Sequence, residues 1–206
     1  FQSDRSGFPT ASHSFSAYQD FNRFILVDDM DGVKIITIRR PQAMNALNDE
    51  LTDEILAVLK AFAENDAVKG FVITGYGTAA FSAGADIGKF PSMLGDPEAA
   101  GQYARDCAKV QVFMDQMDKP VVAAVNGLAL GGGLEIAIRC HSIVAVQNAS
   151  LQFPEITLGI LPGIGGCVVP YRKWPQGANL FHEMICLGRP LRAKEAAAGG
   201  VVANIT

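Results

Sequence analysis

The chain has 206 residues, enough for one domain with a substantial core, and 49% of them are hydrophobic. Its formal net charge of −4 argues against a nucleic-acid surface, and Gly, Asn or charged residues interrupt each apolar run short of membrane-spanning length. The four cysteines stand far apart in no metal-ligand spacing and the opening residues lack an apolar signal core, so free thiols in the cytoplasm are expected.

Residues 1–22 are Ser-rich without sustained periodicity and read as a flexible tail or linker, leaving 23–206 for the folded domain. Residues 23–28 are a strand candidate. Asp31-Gly32 is a hairpin signal, and Val33–Ile38 returns as a second strand. Arg40-Pro41 breaks it. Asn48 or Asp49 caps a helix whose apolar stripe is Leu51, Ile55, Val58, Leu59 and Phe62. Gly70–Gly75 is a short buried strand, residues 99–117 a helix, and 120–125 another buried strand. The glycine run Gly131-Gly-Gly133 then opens a helix over 134–139, and strands follow at 142–146 and 149–153. Pro162-Gly-Ile-Gly-Gly166 opens a helix reaching about Tyr171, 177–186 is helical, and a short helix over 193–198 ends at Gly199-Gly200. Strands alternating with helices place the chain in the α/β class.

Three adjacent glycines at a helix start contribute no packing, so something approaches the backbone closely there. Their bare N–H groups suit negative charge, permanent or developing. Glu135 lies within one turn of them. Its plain alternative is a solvated face with an i,i+4 pair to Arg139. Glu155 follows Pro154 and is otherwise a loop carboxylate or a helix-start charge. Converging on one apolar pocket, the two would form a general acid/base pair, split in protonation by burial and repulsion. Ala83-Gly-Ala-Asp86 reads as a surface loop, or as the source of a second N–H, at Ala85, for a two-donor oxyanion hole.

Other chemistries find little support. Gly75-Tyr-Gly-Thr-Ala-Ala80 fits a relaxed dinucleotide pattern, but loop follows it where a helix should. No nucleophile elbow or Walker sequence is present, and His182-Glu183 lacks a zinc protease's second histidine. His13, His141 and His182 read as tail, helix-end and surface residues.

Five blocks, in order, carry a resemblance. They are Arg40-Pro-Gln-Ala-Met-Asn-Ala-Leu-Asn48, Phe81-Ser-Ala-Gly-Ala-Asp-Ile87, Lys119-Pro-Val-Val-Ala-Ala-Val-Asn-Gly127, Ala129-Leu-Gly-Gly-Gly-Leu-Glu135, and the run from Phe153-Pro-Glu155 to Gly166. From about Phe24 onward the chain resembles the crotonase (enoyl-CoA hydratase/isomerase) family. The resemblance implies a spiral of ββα units forming roughly perpendicular sheets, assembled as a homotrimer or hexamer. It assigns Glu135 and Glu155 as catalytic and the N–H groups of Ala85 and Gly132 as the oxyanion hole. It places Gln42, Ala43, Met44, Ala83, Gly84, Ala85, Asp86 and Ile87 along the CoA site, with Gln42 where many relatives carry a basic residue. The implied reaction is hydration of a short 2-enoyl-CoA, with no metal or redox cofactor, CoA being part of the substrate. Enoyl-CoA isomerisation and a non-catalytic acyl-CoA-binding fragment are the alternatives. Relatives continue beyond this chain's last residues with a helical segment that covers the acyl pocket, so a core truncated at its C-terminus is expected. An upstream or associated hydroxyacyl-CoA dehydrogenase domain is also compatible with the resemblance.

Overall fold

The computed structural model describes residues 23–206; the tail or linker expected over 1–22, with His13, lies outside them. Strand β1 (Ile25–Met30) turns into β2 (Val33–Ile38), and the two pair antiparallel with Ile25 opposite Ile38. Turn residues Asp31 and Gly32 have φ of 53° and 85°, the backbone that matches a two-residue hairpin to strand twist. Helix α1 (Asp49–Ala63) starts where Asn48 Oδ1 accepts from the Leu51 N–H at 3.0 Å. Its predicted stripe of Leu51, Ile55, Val58 and Leu59 is buried.

Beyond α1 the chain repeats one pattern. A longer strand joins a six-stranded sheet, the chain turns sharply, and a short strand joins a four-stranded one. β3 (Gly70–Gly75) leads into β4 (Ala80–Ser82), β5 (Val121–Val125) into β6 (Leu128–Leu130), and β7 (Ser142–Ala145) into β8 (Ser150–Gln152). Helices α2 (Pro97–Cys107) and α3 (Lys109–Gln116) connect the first two units, and α4 (Gly132–Arg139) the next two. Then come α5 (Val169–Lys173), α6 (Ala178–Leu187), β9 (Leu191–Arg192), α7 (Ala193–Ala198) and β10 (Asn204–Ile205). The sheet orders are β1-β2-β3-β5-β7-β10 and β4-β6-β8-β9. Strands β2, β3, β5 and β7 run parallel in the first, and β4, β6 and β8 in the second. This is the spiral of ββα units that the resemblance implies.

Two asparagines hold the corner between β3 and β4. Asn126 Nδ2 donates to the carbonyls of Gly75 at 2.8 Å and Gly77 at 2.7 Å, and Asn45 Nδ2 to those of Tyr76 at 3.1 Å and Ala80 at 2.7 Å. The segment 75–80 is therefore a corner between sheets, not the entry to a nucleotide-binding helix. Phe71, Phe81, Phe153 and Phe181 are fully buried in the core, each contributing roughly 1.5–3 kcal/mol through burial.

Two expectations change. The single helix predicted over 99–117 is two helices meeting at Ala108. No glycine or proline marks the break; α3 buries Val110, Gln111 and Met114 whereas α2 buries no residue fully, so the halves meet different surfaces. The helix predicted to open at 162–166 begins only at Val169, because N–H groups of the preceding loop are engaged elsewhere. All four cysteines are free. Among the described residues no helix is long and apolar enough to cross a membrane.

Candidate active site

The glycine run is where β6 enters α4. Gly131 has φ 47° and ψ −125°, a backbone strained for any residue with a side chain. A Cβ there would lie 2.8 Å from Glu155 Oε1, and one on Gly133 would lie 2.6 Å from Ser82 Cβ. Glycine thus lets the start of α4 touch both β4 and a carboxyl group.

The N–H of Gly132 heads this helix. Facing it is the segment around Ala85, held against residues 44–47 by three backbone bonds. Ala83 donates to the Met44 carbonyl at 3.0 Å, Leu47 to that of Gly84 at 2.8 Å, and Asp86 to that of Leu47 at 2.8 Å. In extended backbone alternate N–H groups point to opposite sides, so the Ala85 N–H is turned away from this partner. Neither it nor the Gly132 N–H has an acceptor among the described residues. A methyl group on Gly132 would come within 3.6 Å of the Ala85 nitrogen, and one on Gly84 within 3.3 Å of the Gly132 nitrogen. Two open donors converge on one place.

Two carboxyl groups share that place and differ in their surroundings. Glu135 is 3% exposed, and its Oε1 accepts from the N–H groups of Ile164 and Gly166, both at 2.8 Å. These bonds turn the 162–166 loop inward and account for the missing helix turn. The plain alternative for Glu135 is overturned: Arg139 pairs with Asp115 at 3.0 Å instead. Burial pushes the Glu135 pKa up, opposed by the two N–H donors and then by the nearby Arg139 charge. Glu155 begins a 3-10 turn, is 9% exposed, and leaves Oε2 buried without a hydrogen-bond partner among the described residues. Burial raises its pKa to about 7, its own N–H opposing and the Glu135 charge adding to the rise. One carboxyl has donors that favour its ionised form; the other keeps its proton well above the ordinary carboxyl range, up to about pH 7.

Both line a cavity of about 180 Å³ with Ala83, Gly84, Ala85, Ile87, Gly131 and Gly132. Much of the remaining wall is apolar, from Leu47, Phe90, Leu158, Leu161 and Ile164, with Tyr103 and Cys107 supplied by α2. Of the residues expected along a CoA site, Gln42 and Ala43 lie in a short 3-10 turn over Pro41–Ala43 that Met44 ends in left-handed backbone, all three outside this wall, with Gln42 and Met44 exposed. Asp86 faces away, toward Arg40 at 3.1 Å. His141 stands at the end of α4, where its Nδ1 accepts from the Val121 N–H, and His182 is exposed. Sequence reading missed Leu47, Tyr103, Cys107 and Leu161, ordinary apolar or aromatic residues that only the tertiary fold brings to the cavity. The arrangement can polarise a carbonyl, hold a developing oxyanion, and move a proton at each of two carboxyl groups.

The family model for enoyl-CoA hydratase/isomerase matches residues 28–206. A probable enoyl-CoA hydratase of Rhizobium meliloti strain 1021 is 39% identical over 181 residues, covering 88% of this chain and 68% of the relative. The mitochondrial enoyl-CoA hydratase of Pongo abelii is 40% identical over 173 residues, 84% of this chain and 57% of its own. The crystal structure of enoyl-CoA hydratase from Bacillus anthracis superposes with a TM-score of 0.81 at 32% identity, covering 89% of this chain and 70% of that one.

Proposed function

The chain belongs to the enoyl-CoA hydratase/isomerase family of enzymes, and on that premise we propose that it adds water to a 2-enoyl-CoA thioester to give a 3-hydroxyacyl-CoA. One observation carries the proposal: two buried carboxyl groups in contrasting environments share an apolar cavity with two N–H donors that have no acceptor among the described residues.

The N–H groups of Ala85 and Gly132 receive the thioester oxygen and strengthen their hold as it gains charge. Loss of one such donor raises a barrier by about 3–4 kcal/mol. Ionised Glu135 takes a proton from water as the water oxygen bonds to Cβ, and the double-bond electrons move onto the thioester as an enolate. Neutral Glu155 then delivers its proton to Cα, and the enolate collapses to the saturated thioester. Proton exchange between the two glutamates and solvent restores the starting state. The anchored geometry of Glu135 suits the base, and the neutral state of Glu155 suits the acid.

A cavity of about 180 Å³ walled by Tyr103 and Leu161 favours a short acyl group of the crotonyl type. Ala83, Gly84, Ala85 and Ile87 line the thioester end, with Gln42 to Met44 outside as the approach for CoA, which enters as substrate; the reaction uses no other cofactor. Assembly as a homotrimer or hexamer, association with a hydroxyacyl-CoA dehydrogenase and a cytoplasmic location complete the proposal. Incubation with crotonyl-CoA tests it: 3-hydroxybutanoyl-CoA should accumulate, and Glu135→Gln or Glu155→Gln should abolish this while sparing thioester binding. Normal turnover in either variant would overturn the assigned roles.

A further inference from the structure

We propose that Arg40 is a positioning residue for the reaction, its guanidinium fixing the backbone that presents the Ala85 N–H to the thioester oxygen. The inference rests on the oxyanion-hole reading above.

Ala85 lies in no helix and in no extended strand. A single parallel bridge to Leu47 aligns it. The partner segment is itself strained, since Met44 and Asn45 both have positive φ, 49° and 58°, and such residues hold their shape only where the surroundings over-determine it. Arg40 spans the two segments from behind. Its Nη1 donates to the Ala46 carbonyl at 2.6 Å and its Nη2 to Asp86 Oδ2 at 3.1 Å. One planar group therefore grips the residue before Leu47 and the residue after Ala85, bracketing the bridge on both sides. Its side chain is only 12% exposed and lies 5.4 Å from the Phe24 ring centre, so the pair with Asp86 is shielded from salt on the arginine side. A lysine offers a compact point charge and cannot reproduce this two-armed grip. Arg40 does not line the cavity; its effect reaches substrate only through Ala85.

The test compares wild type, Arg40→Lys and Arg40→Met by steady-state kinetics on crotonyl-CoA. It adds difference infrared spectra of bound butanoyl-CoA, an unreactive saturated thioester, isotope-labelled at its carbonyl. Wild type should lower the carbonyl frequency on binding. Arg40→Met should lose part of that shift and drop kcat at least about tenfold with KM changed less than about threefold, the split of a contact made mainly in the transition state. Arg40→Lys should fall between. An unchanged carbonyl shift and kcat in Arg40→Met, or a rise in KM alone, would overturn the role. Should Arg40→Met fail to fold, Asp86→Ala removes the acceptor for one arm of the grip and is read by the same criteria. Absence of any carbonyl shift in wild type would refute the oxyanion hole itself, whatever Arg40 does.

Discussion

Glu155→Gln should gain stability relative to the parent protein as pH rises to neutrality and beyond, while destroying its activity. The folded protein holds the Glu155 carboxyl at a pKa of about 7 against an ordinary value of 4.5, chiefly through burial. A group whose pKa is raised by folding supports the native state fully below its unfolded value and loses that support as pH climbs to the folded one. The window is therefore 4.5 to about 7. At about 1.4 kcal/mol per pH unit, the gap amounts to about 3 kcal/mol. A glutamine has nothing to ionise and escapes the loss. Its amide also needs partners, so the informative quantity is the change in the stability difference with pH, not its value at one pH. Denaturant unfolding of both proteins from pH 4 to 8.5 reads it directly: their difference should shift toward the variant across the window and level off above it. A difference that stays flat from acid to alkaline pH would refute the claim that Glu155 is held neutral.

Three further outcomes are expected. Hydration measured as kcat/KM should decline as pH rises through about 7, where Glu155 gives up the proton that the proposed reaction has it deliver; a rate that climbs through that range would contradict the proposed role as the acid. Gly131→Ala should cost about 1–3 kcal/mol in unfolding free energy, because φ there is 47° and the new methyl group meets Glu155 Oε1 at 2.8 Å. Unaltered stability and turnover would show that the contact is not tight. Gln111→Met should raise the melting temperature by about 2–4 °C, since both amide atoms are buried without partners among the described residues and their removal relieves about 1 kcal/mol; a lower melting temperature would show that the amide is satisfied in solution.

The long strands of the six-stranded sheet and helix α1 were legible because their burial follows local periodicity. Val33–Ile38 and Gly70–Gly75 alternate or run apolar, and the α1 stripe repeats every three or four residues. The four-stranded sheet was legible only at Ser150–Gln152, inside the strand expected over 149–153. Ala80–Ser82 and Leu128–Leu130 are three residues each, set among glycines, and pair with segments distant in the chain. No window along the sequence contains that information. The break at Ala108 is equally silent, since packing sets it. For the site, the glycine run marked its own importance, because a backbone without side chains asks what lies against it. Spacing alone could not give the environment of Glu135: Arg139 stands one turn away and offers a plain pair, but the carboxylate turns to the N–H groups of Ile164 and Gly166, about thirty residues downstream. Arg40 looked like a strand breaker beside Pro41, and only the fold shows it gripping Asp86.

The most direct measurement follows crotonyl-CoA in heavy-oxygen water with wild type, Glu135→Gln and Glu155→Gln, identifying the product by mass spectrometry. Wild type should yield 3-hydroxybutanoyl-CoA carrying one heavy oxygen at Cβ, and each variant should bind the thioester yet form almost none. A shifted double bond without oxygen uptake, or labelled product formed equally well without either glutamate, would contradict the two-carboxylate hydration described above.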